Sequence, residues 1–234
     1  MSEYITGDKH GEHTIQLLSN KHWPEGGELT RDDHLFIAGD FGLLFNNVPT
    51  PTELYWLNWL NEKPWTTLVV DGNHENHPML NALPCKEWCG GEVGIIADNI
   101  LHLKRGEIYT INGKTYFIFG GARSEDKMFR KEHISWWSEE IPSVGEIMRG
   151  YENLKAHDCK VDYIITHTAP YEVIAKYPVE LNVMNPDRYS LIDFFDVIYQ
   201  EVEFKHWFFG HFHKDIKLDK KFTAVYHNKI KLEE

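Results

Sequence analysis

Seven side chains spread along this chain have the types and spacing to hold divalent cations: Asp8, His10, Asp40, Asn73, His167, His211 and His213. They arrive in five clusters, Gly7-Asp8-Lys9-His10-Gly11, Gly39-Asp40, Gly72-Asn73-His74-Glu75, Thr166-His167-Thr168 and Gly210-His211-Phe212-His213. Asp8 and His10 stand two apart, as do His211 and His213, so in extended chain each pair projects to one side. Flanking glycines let the backbone turn sharply and bring the side chains toward a common point. Carboxylates with neutral imidazoles suit borderline divalent ions of the Mn, Fe, Zn, Ni or Co type. One central carboxylate can bridge two ions, and Asp40 is the natural bridge. The chemistry of such a site is two-metal hydrolysis.

Each cluster alone has an ordinary reading. The chain has 14 histidines, and a lone one is more often a satisfied core or surface residue than a ligand. Asp-x-His arises by chance, and Gly-Asp and Asn-His are common turn dipeptides. Coincidence does not explain why the clusters follow runs of β-formers, one after another.

Those runs are Tyr4–Thr6, His34–Ala38, Thr66–Val70, Tyr163–Thr166 and His206–Phe209, nearly continuous in apolar character, as central strands covered on both faces require. Helical patterns separate them at Glu12–Lys21, Thr52–Lys63, Ser143–His157 and Ser190–Val202. The second opens behind Pro51 and stacks Leu54, Leu57 and Leu60; the third begins with the capping pattern Ser143-x-x-Glu146. Asn112-Gly113 between Glu107–Ile111 and Lys114–Phe119 is a hairpin signal. The alternation predicts an α/β fold with a partly mixed sheet, in which ligands bind beyond the carboxyl ends of the strands. No repeat or linker divides the chain, so residues 1–234 are expected to form a single domain.

Composition narrows the class. The 234 residues are 42% hydrophobic and 26% charged, as in ordinary soluble globular proteins. The net charge of −12 argues against an extended nucleic-acid face but leaves room for a small phosphate ester, since bound cations would invert the local potential. Cys85, Cys89 and Cys159 form no disulfide framework. No apolar run reaches the ~20 residues of a membrane span, and the amino terminus lacks a signal-peptide pattern. The expected location is cytoplasmic; the oligomeric state stays unknown.

The five motifs, in this order, resemble the Asp-x-His, Gly-Asp, Gly-Asn-His-[Asp/Glu], His and Gly-His-x-His blocks of the calcineurin-like metallophosphoesterase family, and they run from residue 7 to 213. The resemblance implies two packed mixed β-sheets flanked by helices, a four-layer sandwich. It implies one cation on Asp8, His10, His213 and the bridging Asp40, and a second on Asp40, Asn73, His167 and His211, with Mn²⁺ favoured. His74 matches the catalytic histidine, beside the metals rather than on them. The implied activity is hydrolysis of phosphoesters, mono- or diester undecided, by a metal-bridging hydroxide while His74 assists the leaving group. Small bacterial and phage members look most similar.

The chain departs from the family's protein phosphatases. Gly39-Asp40-Phe41-Gly42-Leu43-Leu44 puts Leu43 where a carboxylate usually steadies the histidine, and Asp71 stands in the place of a phosphate-gripping arginine. Asp71 or Glu75 could orient His74 instead. The segment Gly120–Lys131, followed by Trp136-Trp137, gathers cations and aromatics in an acidic chain. It reads as a lid in which Arg123 or Arg130 grips phosphate and a tryptophan stacks on the substrate, a small phosphoester or nucleotide. The plainer alternative buries both tryptophans. A catalytically weak scaffold that binds protein partners is the rival reading, although such scaffolds usually lose ligands and none is lost here. A nuclease, which wants a basic groove, comes third.

Overall fold

The computed structural model describes residues 1–232. Its strands are β1 (Glu3–Thr6), β2 (His34–Ala38), β3 (Thr66–Val70), β4 (Cys85–Trp88), β5 (Gly91–Ala97), β6 (Ile100–Leu103), β7 (Ile108–Ile111), β8 (Lys114–Phe119), β9 (Tyr163–Thr166), β10 (His206–Phe209), β11 (Ile216–Lys217), β12 (Phe222–Ala224) and β13 (Ile230–Lys231). They form two mixed sheets, one of seven strands in the order β13-β1-β2-β3-β6-β5-β4, the other of six in the order β11-β12-β10-β9-β8-β7. In the first, β1, β2, β3 and β6 run parallel; in the second, β12, β10, β9 and β8 do. Antiparallel strands close the outer edges. The expected α/β sandwich of two mixed sheets is therefore present.

Period-two alternation sorts each central strand between two cores. Phe36, Ala38, Leu68 and Val70 of the first sheet meet Tyr116, Ile118, Ile165 and Phe208 of the second, and all are buried. The opposite faces carry Leu35, Ile37 and Val69 on one side, and Phe117, Ile164, Trp207 and Phe209 on the other. The helices are α1 (Pro51–Asn61), α2 (His77–Asn81), α3 (Val144–Ala156), α4 (Tyr171–Lys176) and α5 (Ser190–Glu201). Helix α1 supplies Leu60 to the first outer core, and α3 and α5 supply Leu154, Leu191, Phe195 and Ile198 to the second. Burial on both faces explains the near-continuous apolar runs in the sequence.

Three of the four expected helices form, and the capping box at Ser143 is made in both directions, Glu146 N–H on Ser143 Oγ at 3.2 Å and Ser143 N–H on Glu146 Oε2 at 2.8 Å. Helix α1 has the same device at Thr50 and Glu53. Leu54, expected to face inward with Leu57 and Leu60, is 49% exposed. The helix expected over Glu12–Lys21 does not form. Two 3-10 turns, Gly11–His13 and Ile15–Leu18, replace it, split at Thr14. Thr14 turns its hydroxyl onto the Lys9 carbonyl, a local bond that competes with helix, and His10 and Gly11 enter with φ of 44° and 57°. The β4–β6 meander was not foreseen; it widens the first sheet. Among the described residues no helix is long and apolar enough to cross a membrane.

Candidate metal centre

Parallel register brings the strand ends level. Thr6 pairs with Ile37, Ala38 with Val70, and Thr166 with Phe209. Asp8, Asp40 and Asn73 follow the ends of β1, β2 and β3, while His167 and His211 follow β9 and β10. The site thus sits beyond the carboxyl ends of both sheets, where open α/β folds place ligands.

Close approach accounts for two of the glycines. A Cβ on Gly39, whose φ is +92°, would lie 1.9 Å from His167 Nδ1, and one on Gly72 would lie 2.0 Å from Asp40 Oδ1. No side chain fits at either position. The backbone is unusual at the candidate residues as well: His10, Asp40, His211 and His213 all have positive φ, at 44°, 46°, 68° and 51°. Conformations of this kind cost about 1–3 kcal/mol each and gather at functional sites.

Asp8, His10, Asp40 and His213 each offer a ligand atom, and these atoms all lie within 4.8 Å of one another, a group able to hold a metal ion. His10 Nε2 and His213 Nε2 approach to 2.9 Å, and His10 Nε2 lies 3.8 Å from Asp40 Oδ2. On the other side of Asp40, His167 Nε2 lies 3.3 Å from Oδ1 and 3.1 Å from Asn73 Oδ1. His211 joins less closely. Its ring meets that of His167 edge-on at 5.1 Å, and its backbone N–H donates to both Asp8 oxygens at 3.1 and 3.2 Å.

Neighbouring groups set the orientation of these donors. His167 Nδ1 donates to the Ala38 carbonyl at 2.8 Å, which turns Nε2 toward Asp40 and Asn73. Asn73 Nδ2 donates to Ser124 Oγ at 3.0 Å, so its Oδ1 faces the site; Ser124 is fixed in turn by Glu140. His74 N–H donates to Asp40 Oδ1 at 2.8 Å. Neither Ser124 nor Glu140 was anticipated, since nothing in their sequence surroundings ties them to Asn73.

The charges are uneven. Burial pushes the Asp8 carboxyl up to about 7 against the pull of His167. Burial also presses on Asp40, but the charge and hydrogen bond of His167 outweigh it and hold that carboxyl well below the usual range. His167 is raised to about 10 because the Asp40 and Asp8 carboxylates overcome its burial. Burial lowers His10 to about 4 and His211 to about 3, so both are neutral with lone pairs available. The buried Lys9 gives its ammonium to the Tyr226 carbonyl at 2.9 Å and to its neighbour Asp8's carbonyl at 3.4 Å. Neutral imidazoles and buried carboxylates converge here, and His167, protonated by its carboxylate neighbours, would give up its Nε2 proton on binding a cation. Such a donor set fits a divalent cation.

His74 lines two clefts that meet at this point. One runs past His10, Gly42, Leu43 and Arg130; the other contains Asp40, Asn73, Asp126, His211 and His213. Neither residue expected to orient His74 does so. The Asp71 carboxylate is taken by Arg105 at 2.6 and 2.8 Å and by His102 at 3.2 Å, while Glu75 accepts the backbone N–H groups of Phe41 and Gly42. Arg123 is 49% exposed, pairs with Asp187 at 3.3 Å and lines a separate cleft that reaches His211. Trp136 and Trp137 are buried at 8% and 1% exposure and present no stacking platform.

A profile of calcineurin-like phosphoesterases matches residues 4–215, nearly the whole chain. The chain belongs to this family. Its members are phosphoesterases, and the domain supports a metal-dependent phosphoester hydrolase in general terms. No curated protein matches this chain significantly.

Proposed function

We propose that one domain spanning 1–234 hydrolyses small phosphoesters, a nucleotide among the candidates, in the cytoplasm with two divalent cations of the Mn type. Asp8, His10, Asp40 and His213 would hold one; Asp40, Asn73, His167 and His211 the other. The observation that carries the reading is the convergence of His10, His213, Asp8 and Asp40 from opposite sheets within 4.8 Å. When bound, the pair of cations supplies electrostatic stabilisation of the phosphoryl group and a water acidified to about pKa 7.

The chain's own residues do the rest. Asp40 fixes the His74 backbone through its N–H, which sets the imidazole at the junction of the two clefts. Burial pulls the His74 pKa down, so a neutral ring donates N–H to the leaving oxygen without being a permanent counter-ion. Arg130, which lines the cleft beside His74, and Arg123, which lines the cleft that reaches His211, would meet substrate phosphate.

The test is turnover of p-nitrophenyl phosphate and its bis ester with added Mn²⁺, abolished by EDTA. Absence of turnover with every divalent metal tried overturns the proposal. His74→Ala is expected to keep its metal content and lose about 10²–10⁴ in kcat. Loss of bound metal in that variant would make His74 a ligand instead.

A further inference from the structure

The wall where the two clefts meet carries an ion pair of unusual completeness. Arg130 Nε donates to Asp126 Oδ1 at 2.7 Å and Nη2 donates to Oδ2 at 2.6 Å, a two-point fork. The remaining Nη1 donates to the Ser135 carbonyl at 3.1 Å. Asp126 lies in the cleft that holds Asp40, Asn73, His211 and His213, and Arg130 in the cleft that holds His10. His74 lines both and feels the charge of both members of the pair.

The two halves are held unequally. The Arg130 side chain is 20% exposed and keeps its anchor on Ser135 without Asp126. The Asp126 side chain is 49% exposed, on the one-turn segment that leads into the 3-10 turn Lys127–Phe129. A guanidinium fork donates to a carboxylate or a phosphoryl group with the same two-point geometry. A carboxylate standing on that fork inside a phosphoester site therefore occupies the place of a ligand.

We infer that Asp126 is an internal competitor, seated on Arg130 where a substrate phosphoryl group binds, and that the site favours dianionic phosphomonoesters because these displace it best. The inference rests on the phosphoester reading above. Displacing a carboxylate from a two-point grip favours a group with two negative charges and three terminal oxygens. A diester brings one charge and two free oxygens. Asp126 thus acts as a specificity-determining residue that weakens all anions and is overcome most readily by the more highly charged.

The experiment measures inorganic phosphate binding to the Mn²⁺-loaded protein by calorimetry, together with KM and kcat for p-nitrophenyl phosphate, in wild type, Asp126→Asn and Arg130→Gln. Asp126→Asn is expected to tighten phosphate and lower KM by about 3- to 10-fold, since the neutral amide cannot hold the fork as the carboxylate does. Arg130→Gln should weaken phosphate by about 10-fold or more and should narrow the preference for the monoester over bis(p-nitrophenyl) phosphate. A merely structural Asp126 gives the opposite sign, weaker binding and a lower Tm, and that outcome or unchanged phosphate affinity overturns the inference. A third readout needs neither metal nor turnover: phenylglyoxal should modify Arg130 several-fold faster in metal-free Asp126→Asn than in wild type, and equal rates count against it. Tightened phosphate without any ester hydrolysis would sustain this inference while sinking the catalytic reading; hydrolysis with unchanged phosphate affinity would do the reverse.

Discussion

Two clusters of carboxylate and histidine, each built around buried carboxylates, lie beyond the carboxyl ends of the parallel strands, and they solve their charge problem differently. In the first, Asp71 is satisfied by protein alone: Arg105 donates from Nε and Nη2 to one carboxylate oxygen, His102 donates to the other at 3.2 Å, and the Arg105 charge holds the carboxyl far below its ordinary range against burial. In the second, Asp8 and Asp40 share the single protonated His167, while His10 and His213 point Nε2 at Nε2 across 2.9 Å. The first cluster is complete as built. The second has lone pairs in excess of fixed positive charge. Buried histidines and carboxylates do not by themselves announce a metal site; an unbalanced set of donors does.

Removing the shared carboxylate should produce the largest effect. Asp40→Asn is expected to weaken Mn²⁺ by more than the 10–100-fold typical of changes in supporting residues and to abolish turnover, with metal content read by elemental analysis. Retention of both cations in that variant would erase the contrast between the clusters. Arg105→Met attacks the other cluster and should cost about 3–5 kcal/mol of stability by stranding Asp71, measured by denaturant unfolding. Asp71→Asn combined with Arg105→Met should recover much of that loss; a fully additive double variant would show that the pair is not the unit. Ser124→Ala frees the Asn73 amide and is expected to weaken metal binding by about 10-fold with little change in Tm. Arg123→Ala is the smallest: stability within about 1 kcal/mol, and a KM raised more than kcat is lowered. An unchanged KM would leave Arg130 as the sole candidate grip.

Which parts of this molecule could be read from sequence follows from how local the cause is. The strands β1, β2, β3, β9 and β10 announce themselves because burial on both faces demands unbroken apolar runs, and the polar clusters mark where each ends. The Asn112-Gly113 hairpin and the Ser143 cap are equally local. Glu12–Lys21 misled because its apolar spacing is helical, whereas the entry at His10 and Gly11 in left-handed conformation and the Thr14 side chain are dictated by the site. Thr50-x-x-Glu53 was a legible capping box that Pro51 obscured. Arg105 with Asp71, and Ser124 with Asn73, are partnerships between distant residues with no periodicity to betray them. Asp126 is similar: its meaning comes from Arg130 and from what else lines the cleft.

Asp8, His10, Asp40 and Asn73 hang from one sheet, and His167, His211 and His213 from the other. An ion shared between Asp8, His10, Asp40 and His213 would act as a clasp between the halves of the sandwich, tying together positions that are remote in the chain, where loop closure is most expensive in entropy. Cation capture then has to wait until the halves have docked. A stopped-flow record of Mn²⁺ uptake during refolding would serve as a clock for that docking, independent of any chemistry the centre performs.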